Sequence, residues 1–207
     1  MSLVKYNNNS ISAITSAASI PSGAMTLIKT LTASSSATLS FVHGSSDVVL
    51  DSTYPIYMFK FINMHPATNE ANFTFNMSTD SGSNYNVTKT STFFASIHKE
   101  DDSSSSLSYF SNVDLAQSTS FQQIAENIKN DNDIGVSGEM YLFNPSSTTF
   151  VKHFLGRTNH HRNSGQSSDE FVAGYGNTTS AVDGIQFKMH SGNIDSGTIK
   201  LYGIKDS

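Results

Sequence analysis

The 207-residue chain contains no cysteine. A disulfide framework, a thiolate zinc site and a cysteine nucleophile are therefore all excluded. Tryptophan is absent too, and only four prolines are present. Charged residues are scarce, at 14 %, with a net charge of −5. That acidic balance lacks the basic footprint that nucleic-acid binding requires. No apolar run approaches the roughly 20 residues of a membrane-spanning helix, so no membrane insertion is expected. Residues 1–9, "MSLVKYNNN", have no basic stretch followed by an apolar one, so no secretory signal is read there. If the protein works outside a cell, release by lysis as part of a particle, after assembly in a host cytoplasm, is one route. Catalytic signatures are missing as well. There is no G-x-S-x-G nucleophile elbow, and "AGYGNTTS" (173–180) lacks the lysine and the helix of a phosphate loop. No cofactor is expected.

What the chain does have is Ser, Thr and Asn in abundance, with fourteen Phe and eight Tyr. The aromatics supply a core, and the polar residues imply a weakly charged surface. Alternation of apolar and polar residues marks short strands at 25–32, 37–41, 56–64, 72–78, 92–98, 138–144, 150–157, 171–175, 185–189 and 197–204. Tyr57, Phe59 and Phe61 share one face of 56–64, and Met58 and Ile62 share the other, as in a central strand. Phe73, Phe75 and Met77 alternate with Asn72, Thr74, Asn76 and Ser78, which predicts one face in the core and one in water. Turn residues fill the connectors. Residues 118–131, "STSFQQIAENIKND", place Phe121, Ile124, Ala125 and Ile128 at helical spacing, which predicts one short helix near 119–129. The expected fold is all-β, a two-sheet jelly-roll-like β-sandwich with that single helix. Residues 1–24 are read as an N-terminal arm or first edge segment, and 25–207 as a single β-sandwich domain.

Several clusters hold residues of the kinds that carry chemistry. His153, His160 and His161, with Asp169 or Glu170, can be drawn as a metal site, but their spacing matches no zinc pattern and Arg157 and Arg162 lie alongside. They read better as loop residues, and no metal is expected. Glu100, Asp101 and Asp102 run contiguously into serines, unlike a calcium loop. Glu126, Glu139 and Glu170 are the carboxylates that a glycan-degrading reading would need. Two polar stretches, 99–109 and 157–170, look like exposed loops. Surface-binding residues are accordingly expected among Glu100, Asp101, Asp102, Tyr109, Arg157, His160, His161 and Arg162. An apolar assembly patch is expected near Val48, Val49 and Leu50 or near Ile11, Ile14 and Ile20.

Three segments carry a family resemblance. "YPIYMFKFINMHPATNEANFTFNMSTDSGSNYN" (54–86), "GEMYLFNPSSTTFVKHF" (138–154) and "NTTSAVDGIQFKMHSGNIDSGTIKLYGI" (177–204) resemble strand–turn patterns in structural proteins of tailed bacteriophages, especially marine ones. The opening segment 11–41 is similar to the usual start of that family. The resemblance implies a non-enzymatic virion component, a capsid decoration or a tail fibre or appendage, located in the virion. It implies partners that are further copies of the chain, a trimer by analogy, and other virion proteins, with host-surface glycan as a further partner through variable loops. The family supplies no catalytic residues. The alternative reading is a carbohydrate-binding module or glycan-degrading appendage protein.

Overall fold

The computed structural model describes residues 24–162 and 165–205. Over these residues the chain forms strands throughout and no helix: β1 (Met25–Ser36), β2 (Leu39–Val42), β3 (Ile56–Pro66), β4 (Ala71–Ser78), β5 (Lys89–Lys99), β6 (Ser105–Tyr109), β7 (Gln122–Ile128), β8 (Val136–Phe143), β9 (Lys152–Arg162), β10 (Gln166–Gly176), β11 (Gly184–Met189) and β12 (Ile194–Ile204). Every pairing is antiparallel. The order is β1-β12-β3-β8-β9-β7-β4-β11-β2, and β10, β5 and β6 continue from the other edge of β9. β9 thus has three neighbours. β10 pairs along its full length, β8 pairs with Phe154–Asn159, and β7 meets it at one position, Ile128 opposite Arg162. The sheet folds over at that step into a nearly closed antiparallel barrel or sandwich. β1 is an outer edge, hydrogen-bonded to β12 alone, and only Ala33 of its residues is fully inside.

Folding over brings the aromatic faces of β3, β4, β11 and β2 together. Phe187 of β11 lies at the centre, with its ring 5.3 Å from those of Phe59 and Phe61, 5.9 Å from Phe73 and 6.3 Å from Phe41 and Phe75. Tyr57 is also buried. Its hydroxyl accepts from Asp51 N–H at 2.9 Å and donates to the Asp51 carbonyl at 3.0 Å, and burial pushes its pKa up to about 12. The C-terminal strand belongs to this core through Ile199 and Leu201. Gly138 of β8 stands directly against the Arg157 carbonyl of β9. Any side chain there would force the two strands apart.

Four expectations need correction. The helix over 118–131 is instead β7. Ala71 pairs with Ile128, Phe73 with Ala125 and Thr74 with Gln123, so β7 twice spends one residue more than β4. These bulges shift the side-chain parity. Ile124, Ala125 and Ile128 therefore all face inward from an extended chain, and their spacing imitates a helix. Second, neither polar stretch is simply a loop: residues 105–109 form β6, and the described part of 157–170 is the end of β9 and the start of β10. The inward positions of 157–170, Thr158, His160, Ser168 and Glu170, are polar and buried, so it lacks a hydrophobic signature. Third, β4 is covered on both faces. Its polar side is closed off where Asn76 binds the carbonyls of Tyr85 and Thr119. Fourth, Val48 and Leu50 lie in the chain's own core and are not free for assembly. The patch expected at Ile11, Ile14 and Ile20 falls outside the described residues.

Candidate functional site

The step from β9 to β7 holds the densest set of buried ionisable groups. Glu170 of β10 is fully enclosed. It accepts the Glu126 N–H at 3.0 Å through one carboxyl oxygen and the Ser168 hydroxyl at 3.0 Å through the other. Burial, reinforced by the nearby Glu126 carboxyl, pushes its pKa up to about 8. His160 Nε2 lies 2.8 Å from the Glu126 carbonyl and 3.9 Å from Glu170 Oε1. A carbonyl only accepts, so Nε2 carries the hydrogen, and the buried Nδ1 is left without a partner. Burial holds His160 down at about 4. Between those two values His160 and Glu170 face each other uncharged. Glu126 is also raised by burial, against the pull of Arg162, which pairs with it and lies 5.6 Å over the Phe110 ring. The cluster fastens β7 and β10 together where β7 and β9 share a single register position. Both of its carboxyl groups are buried.

Accessible chemistry lies on the other side of the sheet. Adjacent strands β6, β5, β10, β9, β8, β3 and β12 align Tyr109, Phe94, Phe171, Arg157, Glu139, Lys60 and Lys200 in one cross-strand row. Phe94 and Phe171 stack with centroids 4.8 Å apart and planes 6° from parallel. Arg157 covers the opposite face of Phe171, with its guanidinium carbon 4.9 Å from the centroid. It is fixed there by Asp169, to which Nε donates at 2.9 Å and Nη2 at 2.7 Å. That bonding raises the Arg157 pKa further. Glu139 reaches Lys60 at 3.7 Å and accepts from the Tyr141 hydroxyl at 3.0 Å. Beside the row runs a shallow groove of about 340 Å³ floored by Leu155, Gly156 and Ala173. Leu155 is 50 % exposed and Phe94 is 40 % exposed.

Comparison with known proteins adds no relative. No family model matches the chain, and neither do the curated proteins or the solved structures.

The expected binding residues divide between these places. Tyr109 and Arg157 join the aromatic row, and Tyr109 is further held by a hydrogen bond to Asp114. Glu100 and Asp102 lie in the turn after β5, at the far end of the same sheet. There Glu100 meets His161 at 3.3 Å and Asp102 meets His98 at 3.1 Å. Asp101 caps its own turn by accepting Ser103 N–H at 3.0 Å, which lowers its pKa. His160 and Arg162 point the other way, into the buried cluster. Among the described residues no group of three His, Asp or Glu is placed to hold a metal. His160 and His161, adjacent on a strand, face opposite sides of it, as the alternation of β9 requires.

Sequence reading did not single out Phe94, Phe171 and Leu155. Each stands next to an apolar residue that takes the inward face, Phe93, Val172 or Phe154, so the alternation does not say which of the two points outward. Glu126 and Glu170 stand together with Glu139 among the candidate carboxylates, but their meeting depends on the sheet folding over at β7.

Proposed function

We propose that the protein is a non-enzymatic structural component of a tailed-bacteriophage virion, displayed on the particle as a capsid decoration or tail appendage. In this reading its topology is a two-sheet jelly roll, and it self-associates through the face bearing Phe94, Phe171 and Leu155. One observation carries it: a groove edged by the Phe94 and Phe171 rings and floored by Leu155, Gly156 and Ala173, where exposed apolar groups lie side by side. Contiguous exposed apolar patches of this kind mark interaction sites. The resemblance of segments 54–86, 138–154 and 177–204 to phage structural proteins supports the virion setting.

The carbohydrate-binding alternative is weaker on the same face. Sugars stack on open ring faces, whereas both faces of Phe171 are occupied, by Phe94 and by Arg157. Phe171 presents its edge and Leu155 its aliphatic side chain, which suits a protein partner. Closed symmetry is the rule for such assemblies, and a trimer follows by analogy with other jelly rolls. The expected solution mass, by light scattering coupled to size exclusion, is that of a trimer. Phe94→Glu, on the exposed side of β5, should return the monomer with an unchanged far-ultraviolet spectrum. A wild-type protein that stays monomeric across the micromolar range rules out this face as a self-association site.

A further inference from the structure

Lys89 opens β5 with its side chain turned inward and fully buried. Its Nζ donates to Asn76 Oδ1 at 2.5 Å and to the Val87 carbonyl at 2.8 Å, and no carboxylate pairs with it among the described residues. A buried ammonium without an anion is costly. Burial alone brings its pKa down to about 7, so in mildly alkaline solution Nζ carries a free lone pair. Asn76 is equally enclosed, and every polar atom of its amide is engaged. Nδ2 donates to the carbonyls of Tyr85 at 2.6 Å and Thr119 at 2.9 Å, while Oδ1 accepts the Met77 N–H at 2.8 Å. The carboxamide therefore cannot turn away from the amine. Its oxygen already holds a backbone donor of the kind that stabilises a developing oxyanion. Fixing the two reactants side by side removes the entropic part of the barrier.

We infer that Lys89 and Asn76 are an isopeptide-forming pair that joins β4 covalently to β5. Nζ adds to Cγ of Asn76, and the carbonyl π pair moves onto Oδ1 against the Met77 N–H. One proton passes from Nζ to Nδ2. The C–O double bond re-forms, the Cγ–Nδ2 bond breaks, and ammonia leaves. The product is a secondary amide and one NH₃, with no oxidant, reductant or co-reactant consumed. No carboxylate stands beside the pair to relay the proton, so the reaction is slow beside folding and product accumulates afterwards. Among the described residues, strand pairing links β4 to β5 by way of β7, β9 and β10. The new bond short-circuits that path and closes the loop between residues 76 and 89, restricting the unfolded chain as a disulfide would.

The test is intact-mass spectrometry of the full-length protein, fresh and after prolonged incubation in mildly alkaline buffer. The expected result is loss of one molecule of ammonia, with trypsin failing to cut after Lys89 and fragmentation placing the link between Asn76 and Lys89. Lys89→Met, close in shape and uncharged, should keep its full mass under the same treatment. A wild-type protein that retains its full mass and is cut normally after Lys89 overturns the inference. So does an ammonia loss that maps to a succinimide at some other asparagine, or one that Lys89→Met still shows.

Discussion

Phe187→Ala is expected to destabilise the protein by about 4 kcal/mol, at the upper range for an aromatic truncation in a core. Its ring contacts those of Phe41, Phe59, Phe61, Phe73 and Phe75, from three different strands and both sides of the fold. A neighbour could relax into a small void beside one ring. A void bounded by five aromatic side chains, each fixed by its own strand, cannot collapse without moving the backbone. For a domain of this length the loss corresponds to a fall of roughly 8–16 °C in Tm. Leu107→Ala, on the exposed β6, is the control, because its side chain is 73 % accessible and should cost almost nothing. Equal denaturation midpoints for the two variants would mean that the aromatic centre is not where the fold is held.

A second large effect belongs to Glu170 and appears as pH dependence. Its folded pKa of about 8 lies well above the ordinary 4.5, so folding favours the protonated form. The stabilisation tied to that proton is complete below about pH 4.5 and is lost as the pH rises through 8. Its size is at most about 5 kcal/mol, less to the extent that Arg162 offsets the charge. Glu170→Gln stays neutral at every pH and retains an oxygen that can accept the Glu126 N–H or the Ser168 hydroxyl. The variant should therefore gain stability relative to wild type by several kcal/mol between pH 5 and pH 8.5, read from urea unfolding. Two other groups bend each protein's own curve. His160, depressed to about 4, contributes stability that is lost as pH falls from 6.5 through 4, and Lys89, depressed to about 7, contributes stability that is lost as pH falls from 10.5 through 7. Both are present in variant and wild type, so they largely cancel in the difference. A difference that stays flat with pH would show that the carboxyl is hydrated and ionised in the folded protein.

How far the sequence could be read depended on whether burial was written in hydrophobicity. β3 and β12 were legible because Tyr57, Phe59 and Phe61, and Ile199 and Leu201, alternate with polar residues or lie at a sheet centre. β7 was misread because its two bulges break the period of two, and a broken two-residue period looks like a helical one over seven residues. The outer half of β9 was misread for a different reason. Thr158 and His160 are buried there by hydrogen bonds to the carbonyls of Ile124 and Glu126, which cost no apolar residues and so left no pattern. The aromatic row is only half visible in the sequence. Tyr109 and Arg157 stand out as single residues, but the row exists through cross-strand register, which brings together positions as far apart as Lys60 and Lys200. The pair Lys89 and Asn76 was invisible in the same way: a lysine at a strand start is ordinary until both faces of β4 prove to be covered.

The position of β1 has a mechanical corollary. Met25 lies opposite Ile204, and Lys205 N–H donates to the Ala24 carbonyl at 3.0 Å, so the strand pair has both of its outward-leading ends at one corner. Tension applied through those ends peels the two ribbons apart like a zip, loading one rung at a time, where a parallel arrangement would share the strain among all of them. In single-molecule stretching the first rupture should come at low force and release the β1 segment while the aromatic centre is still intact; a single high-force event would contradict this. A mounting that gripped the molecule there would yield gradually under drag.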